Sequence, residues 1–423
     1  MRVFVVALVP AVGLRLLAVL GYPPALLFWA DSFTYLREPE PGAFRPAGYT
    51  FFVTWFGRDL TLVVLAQHVL GLALAVAVYL CLRRRGLPDW GATLAAAPLL
   101  YDEFLVLLEH MVMADALFTV LVTAAVLVLL GRLTPVTAAV GGTLLGLAAI
   151  TRTIGVPLLL VAGAWMLLRR TGWRPVLCLA LAGALPLLGY ATWMKVEAGT
   201  FGLTRAEGVF LWARTMSFAD CDAFEARTPE LCPTTEVRPA PPFWVWGASS
   251  PLKRVRGDRN AAAGEFARQA IAAQPGGYLA AVGRDLGQLF RWERTKARNP
   301  AVARTNPYWF PFNARHGTRV VEPYAGLLRA YQRFGYVPFP VLMGVLVVGL
   351  ARRRPDALLP GVAALVLIVA PPFLTGYDVR YVVPAIPLVT LCAALAWQGT
   401  RLSGRKSTSS GGTLWRASSS TSC

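Results

Sequence analysis

A chain of 423 residues that is 56% hydrophobic and only 15% charged, with a mean hydropathy of +0.53, is too apolar to fold in water. That excludes the soluble enzyme classes. It also turns the formal charge of +18, which in a soluble protein would point to nucleic acid, into a question of where Lys and Arg fall along the chain, and no nucleic-acid partner is expected.

Hydrophobic runs lie at roughly 3–21, 61–82, 88–108, 112–131, 134–150, 154–168, 175–194, 336–351, 357–375 and 380–398. Each is about long enough to cross roughly 30 Å of hydrocarbon at 1.5 Å per residue, the fifth and sixth being short. If Met1 is cytoplasmic, then Arg83, Arg84, Arg85, Arg132, Arg169, Arg170, Arg174, Arg352, Arg353, Arg354, Arg401, Arg405 and Lys406 all fall on the cytoplasmic side, as the positive-inside rule requires. Both termini are then cytoplasmic in a multi-pass cell-membrane protein. The segment 195–335 is basic yet lies outside in this register, which long loops tolerate. Thr151-Arg152-Thr153 separates two short spans. The first run follows Arg2 and contains Arg15; it is long for a signal-peptide core and lacks a small-x-small cleavage site, so it reads as an uncleaved anchor.

The expected fold class is therefore an all-α integral membrane bundle of about ten transmembrane helices with a mostly helical extracytoplasmic domain. Residues 1–194 form an N-terminal bundle with acidic outer loops, 195–335 the outer domain, 336–400 a C-terminal bundle, and 401–423 a disordered cytoplasmic tail rich in Ser, Thr and Gly. Within the outer domain, 260–273 reads as a helix stopped by Pro275-Gly276-Gly277. A second helix is expected from Tyr278 to Trp292, with Leu279, Val282, Leu286, Leu289 and Phe290 on one face. Phe243, Trp244, Trp246, Tyr308, Trp309, Phe310 and Phe312 suit either an aromatic belt at the membrane boundary or stacking on sugar rings. Cys81, Cys178, Cys392 and Cys423 fall in spans or in the tail, where they act as small hydrophobes or reduced thiols. Cys221 and Cys232 sit close together in the outer domain and are expected to form a disulfide.

Ionisable groups at the outer edge of an apolar bundle are default candidates for function. Asp31 follows the first span directly, in Trp29-Ala30-Asp31-Ser32-Phe33-Thr34-Tyr35-Leu36. Asp102, Glu103, Glu109 and Asp115 flank the next outer loop, and Asp115 lies about a turn into an apolar span. Arg152, and Arg380-Tyr381 after Gly376-Tyr377-Asp378, meet these acids on the same side. Guanidinium groups there suit a phosphate or pyrophosphate, or an ion pair with a neighbouring acid such as Asp378. His68, His110 and His316 are scattered, with His110 beside the acidic loop and read as structural. There is no Gly-x-Gly-x-x-Gly after a strand, no P-loop and no zinc spacing, so neither a nucleotide-bound donor, a metal nor another cofactor is expected.

An acid directly after the first span, further acids at the next outer loop, short spans, a long outer domain and a late Arg-Tyr before a Pro-containing helix together resemble the GT-C superfamily of integral membrane glycosyltransferases. The family 39 type, with its protein mannosyltransferases and lipid A aminoarabinose transferases, is the one this chain looks like. The resemblance covers roughly residues 1–200 and 336–398. It implies a polyprenyl-phosphate-linked sugar as donor, transferred with inversion on the outer face to an extracytoplasmic glycan, lipid or protein acceptor of the cell envelope. On that pattern Asp31 would deprotonate the acceptor, and Arg152, Arg380 and Tyr381 would hold the donor phosphate. Many relatives carry two adjacent acids in the first loop, whereas Ser32 follows Asp31 here, which leaves the second acidic role to Glu109 or Asp115. The rival readings are a transporter that binds a lipid headgroup without bond-making chemistry and a noncatalytic envelope scaffold.

Overall fold

Apolar runs become helices at each of the ten expected places in the computed structural model, which describes residues 1–28, 31–37, 40, 42, 44–233, 241–292 and 313–405. Helix α1 (Arg2–Gly21) leads to a short α2 (Asp31–Tyr35), α3 (Gly48–Trp55) and the long α4 (Leu60–Arg84). Asp59 fixes the start of α4 by accepting from the amides of Thr61 and Leu62. Helices α5 (Asp89–Tyr101) and α6 (Glu103–Glu109) meet at a 54° bend, where Asp102 leaves helical geometry and caps α6. Helix α7 (Ala114–Leu129) follows, then α8 (Pro135–Thr151), which opens on a Thr134–Thr137 capping box with Pro135 in its first turn. Arg152 breaks the chain into extended backbone, and after one turn at Thr153–Gly155 it re-enters helix as α9 (Val156–Leu168). Helix α10 (Trp173–Ala198) ends on Gly199 at φ +73°.

Helices α8 and α10 lie against each other along small residues. A Cβ on Gly142 would come within 2.2 Å of the Leu179 carbonyl oxygen, and one on Gly146 within 2.4 Å of that of Gly183. Close backbone approach of this kind is how apolar helices associate where water gives no hydrophobic drive.

Between α10 and the last helices come α11 (Glu207–Thr215), α12 (Pro241–Trp246), α13 (Arg259–Ala273) and α14 (Pro275–Gly287). Pro275 does not stop a helix, as expected, but opens one: it lacks an N–H that a first turn leaves unused, and the actual break is Gln274. Of the described aromatics, Trp244 belongs to neither a belt nor a sugar platform, because it is buried; Trp246 is half-buried and Phe243 is exposed. Trp244 is buried edge-on to Trp212 at 6.4 Å, in a second apolar cluster with Phe266, and Trp246 packs 4.3 Å from Phe44. Tyr308, Trp309, Phe310 and Phe312, like the tail beyond 405 with Trp415 and Cys423, lie outside the described residues. Cys221 and Cys232 are joined in a disulfide with Cα atoms 6.2 Å apart, while Cys81, Cys178 and Cys392 are free thiols.

The chain finishes with α15 (Tyr324–Tyr331), α16 (Phe339–Ala351), α17 (Pro355–Leu374), the single turn α18 (Val379–Val382) and α19 (Ile386–Arg405). α19 packs on α5, α16 and α17, so helices before and after the intervening segment share one apolar core. Among the described residues the only β pairing is a single bridge between Leu26 and Met111.

This is an integral membrane protein, with five helices long and apolar enough to cross a bilayer: α1, α4, α10, α17 and the run Val379–Gln398. The bent α5–α6 pair would make a sixth. Helices α7, α8, α9 and α16 are apolar but too short to count as spans by themselves; α7, α9 and α16 are also shorter than the sequence runs, which counted flanking loop residues such as those before the Pro338 cap of α16. Helix direction places Arg85, Arg169 and Asp356 together at one end of the bundle and Asp31, Arg152 and Arg380 at the other. At the first end Asp356 accepts from Arg85 at 2.6 Å and also from Arg169.

Candidate active site

Asp31 is fixed by its neighbours before it meets any charge. Ser32 Oγ accepts from the Phe28 amide at 2.7 Å and donates to the Val112 carbonyl at 2.8 Å. Asn313 accepts from the Leu27 amide at 2.7 Å and returns a bond to the Leu27 carbonyl at 3.1 Å. The Ser32–Val112 bond and the Leu26–Met111 bridge hold the chain leaving α1 against the segment between α6 and α7, the Asn313 bonds tie it to the segment before α15, and together they set Asp31 at the start of α2.

The Asp31 carboxylate is 3% exposed and sits between two guanidiniums: Arg45 Nη2 is 2.6 Å from Oδ1 and Arg380 Nη1 is 2.5 Å from Oδ2. Burial alone would raise its pKa. The charges of Arg45 and Arg380, the Arg380 hydrogen bond and the more distant Arg152 together outweigh burial and hold the carboxyl below its ordinary range. Arg380 is aimed by Asp378, which caps α18 through the Arg380 amide at 3.0 Å and lies 3.4 Å from Arg380 Nε, and by the faces of Phe28 and Tyr381 at 4.6 and 5.1 Å. The ion pair with Asp378 and the proximity to Asp31 therefore coexist.

Arg152, projecting from the break between α8 and α9, pairs with Asp115 in the first turn of α7. It lies over the rings of Phe118 and Tyr381 at 5.9 and 5.1 Å. Asp115 is 1% exposed, a carboxylate tolerated in an apolar helix because its counter-charge is in contact. Three arginines thus face two fully buried carboxylates, with Asp378 half-buried at the rim.

Arg45, Arg152, Tyr35 and Tyr381 form the polar head of a cleft of about 380 Å³. Its other walls are mostly apolar: Ile154 and Pro157 at the start of α9, and Leu367, Ala370, Pro371 and Leu374 on α17, with Glu207 and three threonines, Thr151, Thr153 and Thr375, among them. Asp31 does not line the cleft; Arg45 stands between them. A charged head with an apolar body suits an amphiphile whose headgroup is an anion.

Five of the six residues singled out in the sequence meet here: Asp31, Asp115, Arg152, Arg380 and Tyr381. Glu109 sits elsewhere. Its carboxylate is buried between Arg15 of α1, with Nε at 3.0 Å and Nη2 at 2.9 Å, and His68 of α4 at 2.9 Å; His68 in turn meets His110 at 3.3 Å. Gly71 makes room, since a Cβ there would fall 2.0 Å from Glu109 Oε1. His316 packs on the Phe33 ring at 4.9 Å. Arg45 is the site residue that sequence reasoning missed; its only signal was a cation close after Asp31 in the same outer loop. Among the described residues no three His, Cys, Asp or Glu side chains are placed to hold a metal ion.

No family model matches the chain, and no curated protein matches it. Among solved structures the chain is similar to the archaeal oligosaccharyltransferase AglB from Archaeoglobus fulgidus in complex with an inhibitory peptide and a dolichol-phosphate. Identity is 14% and the TM-score 0.39, over 98% of this chain and 52% of that one. The chain therefore spans about half the length of that protein, and a likeness this distant says nothing of activity.

Proposed function

We propose that the protein is a GT-C-type membrane glycosyltransferase that moves a sugar, with inversion, from a polyprenyl-phosphate carrier to an acceptor on the outer face of the cell membrane. The observation that carries this reading is the cleft with Arg45 and Arg152 at its head and a largely apolar body between α9 and α17, with Arg380 just behind the head, paired to the Asp31 that Arg45 covers. Arg152 and Arg380, with the Tyr381 hydroxyl, bind the carrier phosphate and stabilise the charge that grows on it as the glycosidic C–O bond breaks. The apolar walls take the first isoprene units.

Asp31 is the base. As the acceptor hydroxyl attacks the anomeric carbon, its proton passes to the Oδ1 edge that Arg45 holds in this structure. Transfer of Arg45 from Asp31 to the phosphate frees the carboxylate and adds a cation to the leaving group in the same movement. Asp115 keeps Arg152 in place. Glu109, sealed against Arg15 and His68, has no part in the reaction. In this reading the Asp31 end of the bundle faces outward, both termini are cytoplasmic, and residues 195–335 form the extracytoplasmic domain.

The test is transfer of radiolabelled sugar from a panel of polyprenyl-phosphate sugars by membranes holding wild-type protein or Asp31→Asn. Donor consumption is expected with wild type and a loss of two or more orders of magnitude in the variant, the scale of lost general-base catalysis. Near-normal turnover by Asp31→Asn removes that residue from the mechanism. Unconsumed donor that nonetheless changes leaflet replaces the enzyme with a transporter.

A further inference from the structure

The basic character of the segment after α10, which the donor cleft does not use, is concentrated at one place. Arg205, Lys253, Arg254, Arg256 and Arg259 line an open cleft of about 1140 Å³ between the end of α10 and the start of α13. Arg205, Arg254 and Arg256 are exposed, and no carboxylate among the described residues pairs with any of them. The two acids in that cleft are already engaged: Glu207 accepts from the Thr204 hydroxyl at 2.5 Å, and Asp258 caps α13 through the amides of Asn260 and Ala261.

This surface runs on toward the active site. Arg205 also lines a second cleft of about 390 Å³, together with Arg37 and Arg45, where Glu40 and Glu197 are the acids. Arg45, with Phe44 and Pro46, is shared in turn between that second cleft and the donor cleft. A line of cations therefore leads from open solvent, through Arg205, to the guanidinium that covers Asp31.

From this continuity, and resting on the transferase reading, we infer that the acceptor is an extended anionic glycan bound along the track by its carboxylate or phosphate groups. The track delivers one of its hydroxyls past Arg45. Two cavities in series fit a chain of several sugar units rather than a single ion. The lining favours a glycan over a lipid: an acyl chain needs the run of Leu, Ile and Pro that walls the donor cleft, whereas the outermost cleft is mainly polar and neither outer cleft is lined by a Leu or Ile, their large apolar side chains being Phe201, Val255 and Phe44. Clustered cations also raise the local concentration of an anionic chain before it docks.

The experiment uses full-length protein in detergent micelles and fluorescein-labelled octagalacturonate as probe, with mannohexaose as the neutral control. Wild type is expected to bind the anionic chain and not the neutral one, with affinity falling steeply as salt rises. Arg254→Gln/Arg256→Gln and, separately, Arg205→Gln should each weaken binding about tenfold, the return expected from losing charge-assisted contacts on a partly solvated surface. Lysine at the same positions should restore most of it. Absence of binding by wild type, or equal affinities in wild type and glutamine variants, overturns the inference. So does weakened binding of the variants to phosphatidylglycerol vesicles with the glycan unaffected, which makes the track a membrane contact. The same preparations are titrated with decaprenyl phosphate: failure of wild type to bind it counts against the donor reading and leaves the glycan result standing on its own.

Discussion

Replacing Glu109 by Gln exchanges an anion for an amide of nearly the same shape and leaves the Arg15 guanidinium without its counter-charge inside the bundle. Arg15 is 3% exposed and Glu109 5%, so neither can reach water without moving a helix. Breaking one side of such a pair costs about 3–5 kcal/mol. Arg15 keeps its bonds to the Leu100 and Leu99 carbonyls at 2.7 and 2.8 Å, which puts the expected loss near the lower bound, about 3 kcal/mol or roughly a hundredfold in the unfolding equilibrium. SDS titration of the purified protein in micelles, followed by near-ultraviolet circular dichroism, reads this loss directly. Adding Arg15→Met should recover most of it, because the uncompensated charge is then gone. A loss under about 1 kcal/mol, or a double variant no better than Glu109→Gln, would refute the picture of a dry, closed pair. Unchanged stability with lost sugar transfer would return Glu109 to the reaction.

Asp31 gives a pH prediction with a definite sign. A carboxyl held below its ordinary value contributes stability that is complete above about pH 4 and fades only as the pH falls through its lowered value. The stability difference between wild type and Asp31→Asn should therefore be flat from pH 6 to 8 and shrink under acid; a difference that changes between pH 6 and 8 contradicts this. Gly142→Ala forces a methyl against the Leu179 carbonyl and should cost about 1–3 kcal/mol in the same SDS titration, and an unshifted midpoint would mean that α8 and α10 stand further apart. Cys221→Ser with Cys232→Ser opens a bridge between residues 11 apart and should cost roughly 2–3 kcal/mol, seen as faster proteolysis of the region around α11 and α13. Thiol labelling of denatured, unreduced wild type that reaches either cysteine would count against the bridge itself.

Much of the fold was legible because run length and breaks are local properties. Thr151-Arg152-Thr153 between two apolar runs announced the interruption that projects Arg152 into the site. Pairings were not legible: Asp31 and Arg380 are 349 residues apart, and nothing in either neighbourhood names the other. Arg45 was overlooked because it lies in a loop without periodicity, where a cation next to a membrane normally has a solvated or interfacial explanation. Glu109 was grouped with Asp115 because both flank one loop. Whether the acid before that loop turns toward the Asp31 site or toward α1 depends on the space left by Gly71, which belongs to another helix. Trp212 and Trp244 form a core across about thirty intervening residues, and aromatic content alone does not distinguish such a core from a membrane-boundary belt.

Asp356, at the end of the bundle remote from the site, holds Arg85 after α4 and Arg169 after α9 from its own place in the first turn of α17, and the Trp165 indole adds a bond to the Pro355 carbonyl at 2.6 Å. α9 and α17 are thereby pinned together at one end, while at the other they are the two apolar walls of the cleft headed by Arg45 and Arg152. Two rods fastened at one tip can only part like the legs of a compass. With about 20 Å of helix beyond the pin, a rotation of about 5° spreads the free tips by about 2 Å. The small, half-buried electrostatic knot on the far side thus sets the mechanical stiffness against which the lipid chain of the proposed donor would work to wedge itself in.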